Sequence, residues 1–346
     1  MTDIERRKRD HLDIVLSGTA AHSGPAGFDS YMFEHNALPE LNLSDIDLSS
    51  LFLGKSLKLP YLASSMTGGP DVSEKINLTI AEAAQELGFA MGVGSQRIAL
   101  ANGGSHGLNH SLRRTAPDIP IYSNLGAVQL VSGMGLDEAR RAVDTLEADA
   151  LILHLNPLQE ALQEGGDQNF AGIASAIQAL CAKLTVPVIV KEVGSGISAK
   201  VAGRLIDCGV AAIDVAGAGG TSWAAVEGKR AGEASGQSLG EVFRNWGIPT
   251  AHCLIDIRNA YPKVPLIASG GIRHGLDGAK AIRLGASLVG QAAALLPSAT
   301  KSTDDVIAHV KTWAQALRIA CFATGSRDLT HLREAPLRPS SNTAHL

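Results

Sequence analysis

From residue 59 onward the chain alternates short apolar runs with polar or glycine-rich turns and longer amphipathic stretches. The apolar runs are too short for helices and end in turn formers, so they read as buried strands at 59–65, 89–94, 121–124, 150–156, 187–193, 211–216, 266–270 and 287–291. Apolar residues at helical spacing predict helices at about 73–87, 107–115, 136–147, 170–184, 198–208, 250–261, 275–284 and 303–323. Gly88, Gly209 and Gly285 follow three of them, where a left-handed cap is needed. Eight strand–helix repeats that close after an eighth helix predict an α/β fold, a TIM (β/α)8 barrel over residues 59–333.

Residues 1–58 precede this pattern as an N-terminal arm and irregular extension. Arg6-Arg7-Lys8-Arg9-Asp10-His11 opens a short helix that runs to about Leu16 and stops at Ser17-Gly18. The basic run is either a solvated face or an arm that carries cations to an anionic ligand. Taking the strand tips as Met66, Ser95, Asn124, Asn156, Lys191, Gly217, Gly271 and Ala292, only the step from Gly217 to Gly271 is anomalous, at 54 residues. Residues 218–249 are rich in Gly, Ala and Ser and carry Trp223, Arg230 and Trp246. They read as a long structureless insertion, a lid or a disordered segment. The tail 334–346, with Pro336, Pro339, Ser340 and Ser341, reads as disordered.

Composition narrows the class. Apolar residues make up 45% of the 346, aromatics 4%, and glycine is abundant at 37, which suits α/β packing with many tight turns. A net charge of −4 argues against a general nucleic-acid binder, no apolar run is long enough to span a bilayer, and the charged N-terminus lacks a signal peptide's apolar segment. A cytoplasmic protein with no membrane partner is expected. Cys181, Cys208, Cys253 and Cys321 form no CxxC pair, and each falls in or at the end of a helical pattern, so they read as buried thiols.

In a barrel all strand C-termini share one mouth, so polar residues at the tips meet although they are distant in sequence. His154, Asn156, Gln159 and Glu160 leave the fourth strand within seven residues, a density of donors, acceptors and charge that suits a ligand site. Lys191 ends the otherwise apolar run Pro-Val-Ile-Val-Lys, where a cation needs a partner. It suits either the negative edge of a reduced flavin or the Schiff base of an aldolase, and the residues alone do not separate the two. Gly270 and Gly271 after strand seven, with Ala292 and Ala293 after strand eight, let backbone N–H groups approach a phosphate. Glu160 is the natural ligand for Mg²⁺ shared with substrate phosphate, whereas a zinc site lacks third and fourth ligands at this rim.

Seven stretches occur in one order from about residue 5 to 333: Arg7-Lys8-x-x-His11, Ala63-x-x-Met66-Thr67-Gly68-Gly69, Gly94-Ser95-Gln96-Arg97, Asn156-Pro157-Leu158-Gln159-Glu160, Val190-Lys191-Glu192-Val193-Gly194, the run from Asp214 to Trp223, and Ala268-Ser269-Gly270-Gly271. By these stretches the chain resembles the type 2, FMN-dependent isopentenyl-diphosphate isomerases. The resemblance implies conversion of isopentenyl to dimethylallyl diphosphate in isoprenoid biosynthesis, with FMN, Mg²⁺ and NADPH as reductant and no net redox change. It also implies that Met66, Thr67, Ser95, Asn124, Lys191, Thr221, Gly270, Gly271, Ala292 and Ala293 line the flavin. Arg7, Lys8, His11, Ser95, Arg97, His154, Asn156 and Gln159 would hold the substrate, and Glu160 the metal. Gln159, Lys191 and His154 are the residues expected to carry the chemistry, and a homo-oligomer, tetramer or octamer, is implied. One departure is Ala293, where the family pattern usually has arginine. It leaves the flavin phosphate to backbone donors and to Arg273. The rival expectation is an FMN-barrel oxidoreductase: the 2-hydroxy-acid oxidase kind needs a histidine base on a rim loop near a carboxylate-binding arginine, the inosine-monophosphate-dehydrogenase kind a rim cysteine nucleophile, but no His-Gly pair follows strand six and all four cysteines fall in helical patterns.

Overall fold

The computed structural model of the chain describes residues 3–65, 71–102, 107–232 and 234–340. Eight parallel strands close into one barrel: β1 (Tyr61–Ala63), β2 (Ala90–Gly92), β3 (Ile121–Gly126), β4 (Ala150–His154), β5 (Val188–Lys191), β6 (Ala212–Asp214), β7 (Leu266–Ala268) and β8 (Leu288–Gln291). Closure is made by β8 against β1, with Val289, Gly290 and Gln291 opposite Tyr61, Leu62 and Ala63. All eight predicted strands are present. Seven are shorter than their apolar runs, because ladder pairing stops before the apolar residues do, and only β3 is longer.

The strands are mostly apolar because both faces are buried, with most of their polar residues at the C-terminal ends. Leu62, Tyr122, Ile152, Ile189, Ile267 and Leu288 point inward and fill the lower barrel, while Tyr61, Met91, Leu151, Leu153 and Val190 point outward onto the helices. The inner cluster is completed by Phe52 and Leu57 from an antiparallel hairpin, Ser50–Phe52 with Lys55–Leu57, which plugs the N-terminal end. Its turn sets Leu53 and Gly54 at φ of 47° and 79°. This hairpin lies in the extension that the sequence left irregular. The predicted left-handed caps at Gly88, Gly209 and Gly285 are present, with φ of 71°, 86° and 113°.

Two expectations are corrected. The insertion 218–249 is not structureless: it folds into the helices Trp223–Arg230 and Ala234–Val242, packed on each other. A Cβ on Gly240 would lie 2.5 Å from Gly228 Cα, so the glycine content that read as disorder is what lets two helices touch backbone to backbone. The tail is not disordered from residue 334 either. Leu337–Pro339 pairs antiparallel with Tyr31–Phe33 near the other end of the chain; residues 341–346 lie outside the described ones. Among the described residues no helix is long and apolar enough to cross a membrane.

Candidate active site

The C-terminal end of the barrel opens into a cavity of about 600 Å³, well within the range of small-molecule sites. Its wall includes sixteen of the residues singled out in the sequence: Arg7, Lys8, His11, Ser95, Arg97, Asn124, His154, Asn156, Gln159, Glu160, Lys191, Thr221, Gly270, Gly271, Ala292 and Ala293. Met66 and Thr67, also expected there, lie outside the described residues.

The fourth strand delivers the polar cluster because Pro157 ends the chain's extended path and starts the short helix Pro157–Leu162, with Asn156 at its N-cap position. Gln159 and Glu160 thus fall on the first turn and face back over the mouth. Asn156 Nδ2 donates to Gln159 Oε1 at 3.1 Å and to Glu160 Oε1 at 2.9 Å, leaving Asn156 Oδ1 buried without a partner. Glu160 Oε2 accepts from the Asp167 backbone N–H at 2.7 Å and from Gln163 Nε2 at 3.3 Å. Three of a carboxylate's roughly four lone-pair directions are therefore used, leaving about one for a cation. Among the described residues no three His, Cys, Asp or Glu side chains form a metal cluster, so the donor set suits a hard cation shared with a ligand and water rather than a closed zinc cage.

His154 ends β4, and its Nδ1 lies 2.8 Å from Asn124 Oδ1. Burial, reinforced by the charges of Lys191 and Lys8, holds its pKa down to about 3, so the imidazole is neutral at physiological pH.

The arm helix Asp3–Leu16 lies across the mouth, and Arg7, Lys8 and His11 point into the cavity. Lys8 Nζ is buried with no hydrogen-bond partner. Burial first, and then the neighbouring Arg7, pull its pKa down to about 8. Arg97 is steadied by Asp167 at 2.8 Å, on the same side as Glu160. Two cations held over a cavity without a carboxylate on Lys8 make an incomplete arrangement that an anionic ligand completes.

One important residue was missed by sequence reasoning. Glu227, 2% exposed, sits behind the cavity wall on the helix Trp223–Arg230 of the insertion. Its Oε1 accepts from Gln159 Nε2 at 3.0 Å and lies 2.9 Å from His11 Nε2, while its Oε2 accepts from Arg230 at 2.7 Å. Burial pushes its pKa up, but the hydrogen bonds from His11, Gln159 and Arg230 outweigh this and hold it below the usual carboxylate range. Arg230 also reaches Asp10 at 3.5 Å, and His11 packs edge-on against Trp223 with ring centroids 5.0 Å apart. The insertion is thus the seat on which the arm rests. The available signal was a glutamate four residues after Trp223 in an apolar helix start, with Ser222 as N-cap.

On the opposite wall the loops after β6 and β7 meet through their backbones. Gly271 has φ of 71°, and a Cβ there would lie 2.6 Å from the Gly219 carbonyl, while one on Gly220 would lie 2.6 Å from Gly271 N. Among the described residues none accepts from the backbone N–H of Gly219, Gly220, Gly271 or Ala293. Arg273 borders the cavity, but its guanidinium is engaged by Asp29 at 2.9 Å and Asp277 at 3.1 Å. A phosphate in this cradle would therefore rely on backbone donors. Lys191, 7% exposed, supplies a cation on the floor, and Ser64 and Ser65 add buried hydroxyls without partners. A phosphate cradle at one end and a buried cation at the other fit a flavin mononucleotide.

Comparison with known proteins agrees with this geometry. Residues 139–339 match the family of FMN-dependent dehydrogenases. The chain is 58% identical over 333 residues to the isopentenyl-diphosphate delta-isomerase of Xanthobacter autotrophicus, spanning 96% of this chain and 97% of that protein. It is 59% identical to the Stutzerimonas stutzeri protein of that name over 96% of both, and 49% identical to the Synechocystis sp. one over 97% of both. Among solved structures it shares its fold with a mandelate oxidase mutant bearing an FMN adduct, at a TM-score of 0.68 and 20% identity, covering 98% of this chain and 100% of that one.

Proposed function

Because the chain belongs to the isopentenyl-diphosphate delta-isomerases, within the FMN-dependent dehydrogenase family, we propose that its barrel mouth converts isopentenyl diphosphate to dimethylallyl diphosphate. The reaction moves a double bond by one carbon. One proton is added, another is removed two carbons away, and the intermediate has the character of a tertiary carbocation that water would quench. The observation that carries the reading is the placing of Gln159, a neutral amide, in the wall beneath a roof of cations. Gln159 is held at one end by Asn156 and at the other by Glu227, so it can orient an alkene without trapping a cation.

Each neighbouring side chain has a task in that chemistry. Arg7, Lys8 and Arg97 bind the diphosphate, with neutral His154 and Asn156 supplying hydrogen bonds that position it. Glu160 would hold Mg²⁺, which would neutralise charge on the diphosphate. The arm helix excludes water. Lys191 and the glycine loops would hold FMN, whose reduced form would supply the proton donor and acceptor, and NADPH is the reductant we assign to it. The likeness to oxidases is one of fold. The oxidoreductase alternative also lacks its chemistry here, since no histidine follows β6 at the rim and none of the four cysteines borders the cavity.

An anaerobic assay with FMN, Mg²⁺ and isopentenyl diphosphate, with and without NADPH, tests this. Dimethylallyl diphosphate should form only after flavin reduction, with many turnovers per NADPH consumed. One NADPH oxidised per turnover, or no product, would return the protein to the oxidoreductases.

Lys8 makes the reaction pH-dependent in a defined direction. Its depressed pKa means that the free enzyme loses this cation as pH rises through about 8, while a bound diphosphate holds the proton on. Affinity is thus complete below pH 8 and declines above it, so kcat/KM should fall on the alkaline side. Lys8→Met should remove that limb and raise KM by about 10- to 100-fold with little change in kcat, the worth of one hydrogen bond to a charged group. A KM that does not move would take the arm out of the binding site.

A further inference from the structure

Lys191 is a buried cation whose lasting partner has to be found among the protein's own groups, because a buried charge without one is costly. Its Nζ donates at 2.5 Å to the Glu192 carbonyl, and among the described residues it makes no ion pair. Two buried carboxyls feel its charge, those of Glu192 and Asp214; burial holds the pKa of each above the usual carboxylate range, and Lys191 offsets only part of that rise. Glu192 is already committed. Its Oε2 gathers the backbone N–H groups of Val193, Gly194, Ser195 and Gly196 at 2.6, 2.7, 2.5 and 3.3 Å, turning the loop after β5 around itself.

Asp214 is committed on one side only. It ends β6 directly opposite Lys191 in the register with β5, and it is 1% exposed. Its Oδ1 accepts from Ser269 Oγ at 2.6 Å and from the Ala216 N–H at 3.3 Å, whereas Oδ2 is buried and has no partner. Ala216 is one of four described non-glycine residues at positive φ, 37°, so the chain is bent sharply just where it wraps this carboxylate. A carboxylate held on the floor by a single hydroxyl and one amide, with its second oxygen spare on the residue paired in register with Lys191, is placed as a charge partner rather than as a loop brace.

Resting on the assignment of FMN to this cavity, we propose that Asp214 is the resident counter-ion of Lys191 and thereby sets how readily the bound flavin accepts electrons. Lys191 favours the anionic reduced ring. Asp214 shares that cation and adds a negative charge to the same floor, so it holds the preference for reduced flavin in check. Removing its charge while keeping its shape should release Lys191 to the ring and make reduction easier.

The test is a redox titration of flavin-loaded wild type, Asp214→Asn and Asp214→Ser. Both variants should favour reduced over oxidised flavin at least tenfold more than wild type, which is about 30 mV of upward shift for a two-electron couple. A merely structural role would change flavin content or melting temperature and leave the potential where it was. Unshifted potentials in both variants would overturn the proposal while leaving the flavin reading intact, and so would a downward shift. If one variant fails to fold, the other decides. Wild-type protein that takes up no FMN would overturn the reading on which the proposal stands.

Discussion

Deletion of residues 1–16 should lower kcat/KM for isopentenyl diphosphate by about 10²- to 10⁴-fold, on the order of 3–6 kcal/mol for losing Arg7, Lys8 and His11 together, with their contributions not simply additive. The arm contributes these side chains to the cavity wall, and its apolar residues Leu12, Val15 and Leu16 also border the space. The cut leaves the arm's root in place, since Ala21 bridges to Thr221 and His22 N–H donates to Gly220 at 2.8 Å. Flavin uptake should therefore be unchanged, because the glycine loops and Lys191 belong to the barrel. The loss should be shared between KM, through the missing cations, and kcat, through water admitted to a carbocation-like intermediate. A truncated protein that keeps kcat/KM within tenfold of the full chain would mean that the helix decorates the mouth without closing it.

Glu227→Gln should lower kcat by about 10²-fold or more, the usual cost of misplacing or removing one preorganised group at a reacting centre. Glu227 does not border the cavity; it acts through Gln159 and His11. The substitution keeps the shape but turns one acceptor into a donor facing Arg230, His11 and the Gln159 amide, so the network cannot be satisfied as it stands. Gln159 should then rotate away from Asn156, and the negative charge that balances a cation in the cavity is lost. The fall should appear in kcat with flavin content preserved, and Glu227→Asp should lie between the two. A kcat within threefold of wild type would show that the network only anchors the insertion.

The barrel was legible because its signal is local. A strand buried on both faces writes itself as a short apolar run, and eight of them place eight tips at one mouth, so His154, Gln159, Glu160 and Lys191 emerged together. Arm cations were legible as a charge run and acquired meaning only from the tips. Glu227 was hidden for the opposite reason: its burial is created by His11 and Gln159, which lie far from it in the chain. Glycine misled in the same segment, since Gly228 and Gly240 serve close helix contact, which composition cannot distinguish from flexibility. Arg273 looked like a phosphate ligand until its partner Asp29 came into view, a pairing across most of the chain's length. The tail gave no sign of its strand because Leu337–Pro339 has a partner only at Tyr31–Phe33.

That last pairing has a consequence for the order in which the molecule comes into being. Translation runs from the N-terminus, so Tyr31–Phe33 is made long before its partner strand Leu337–Pro339. The barrel seam has the same asymmetry, since β1 must wait for β8. Both closures join residues far apart in sequence, and such contacts carry a large loop-closure cost that must be met before they stabilise anything. The segment that leads from the arm into the barrel therefore waits on the ribosome without its partner, and the roofed site exists only once β8 and the strand Leu337–Pro339 have both emerged.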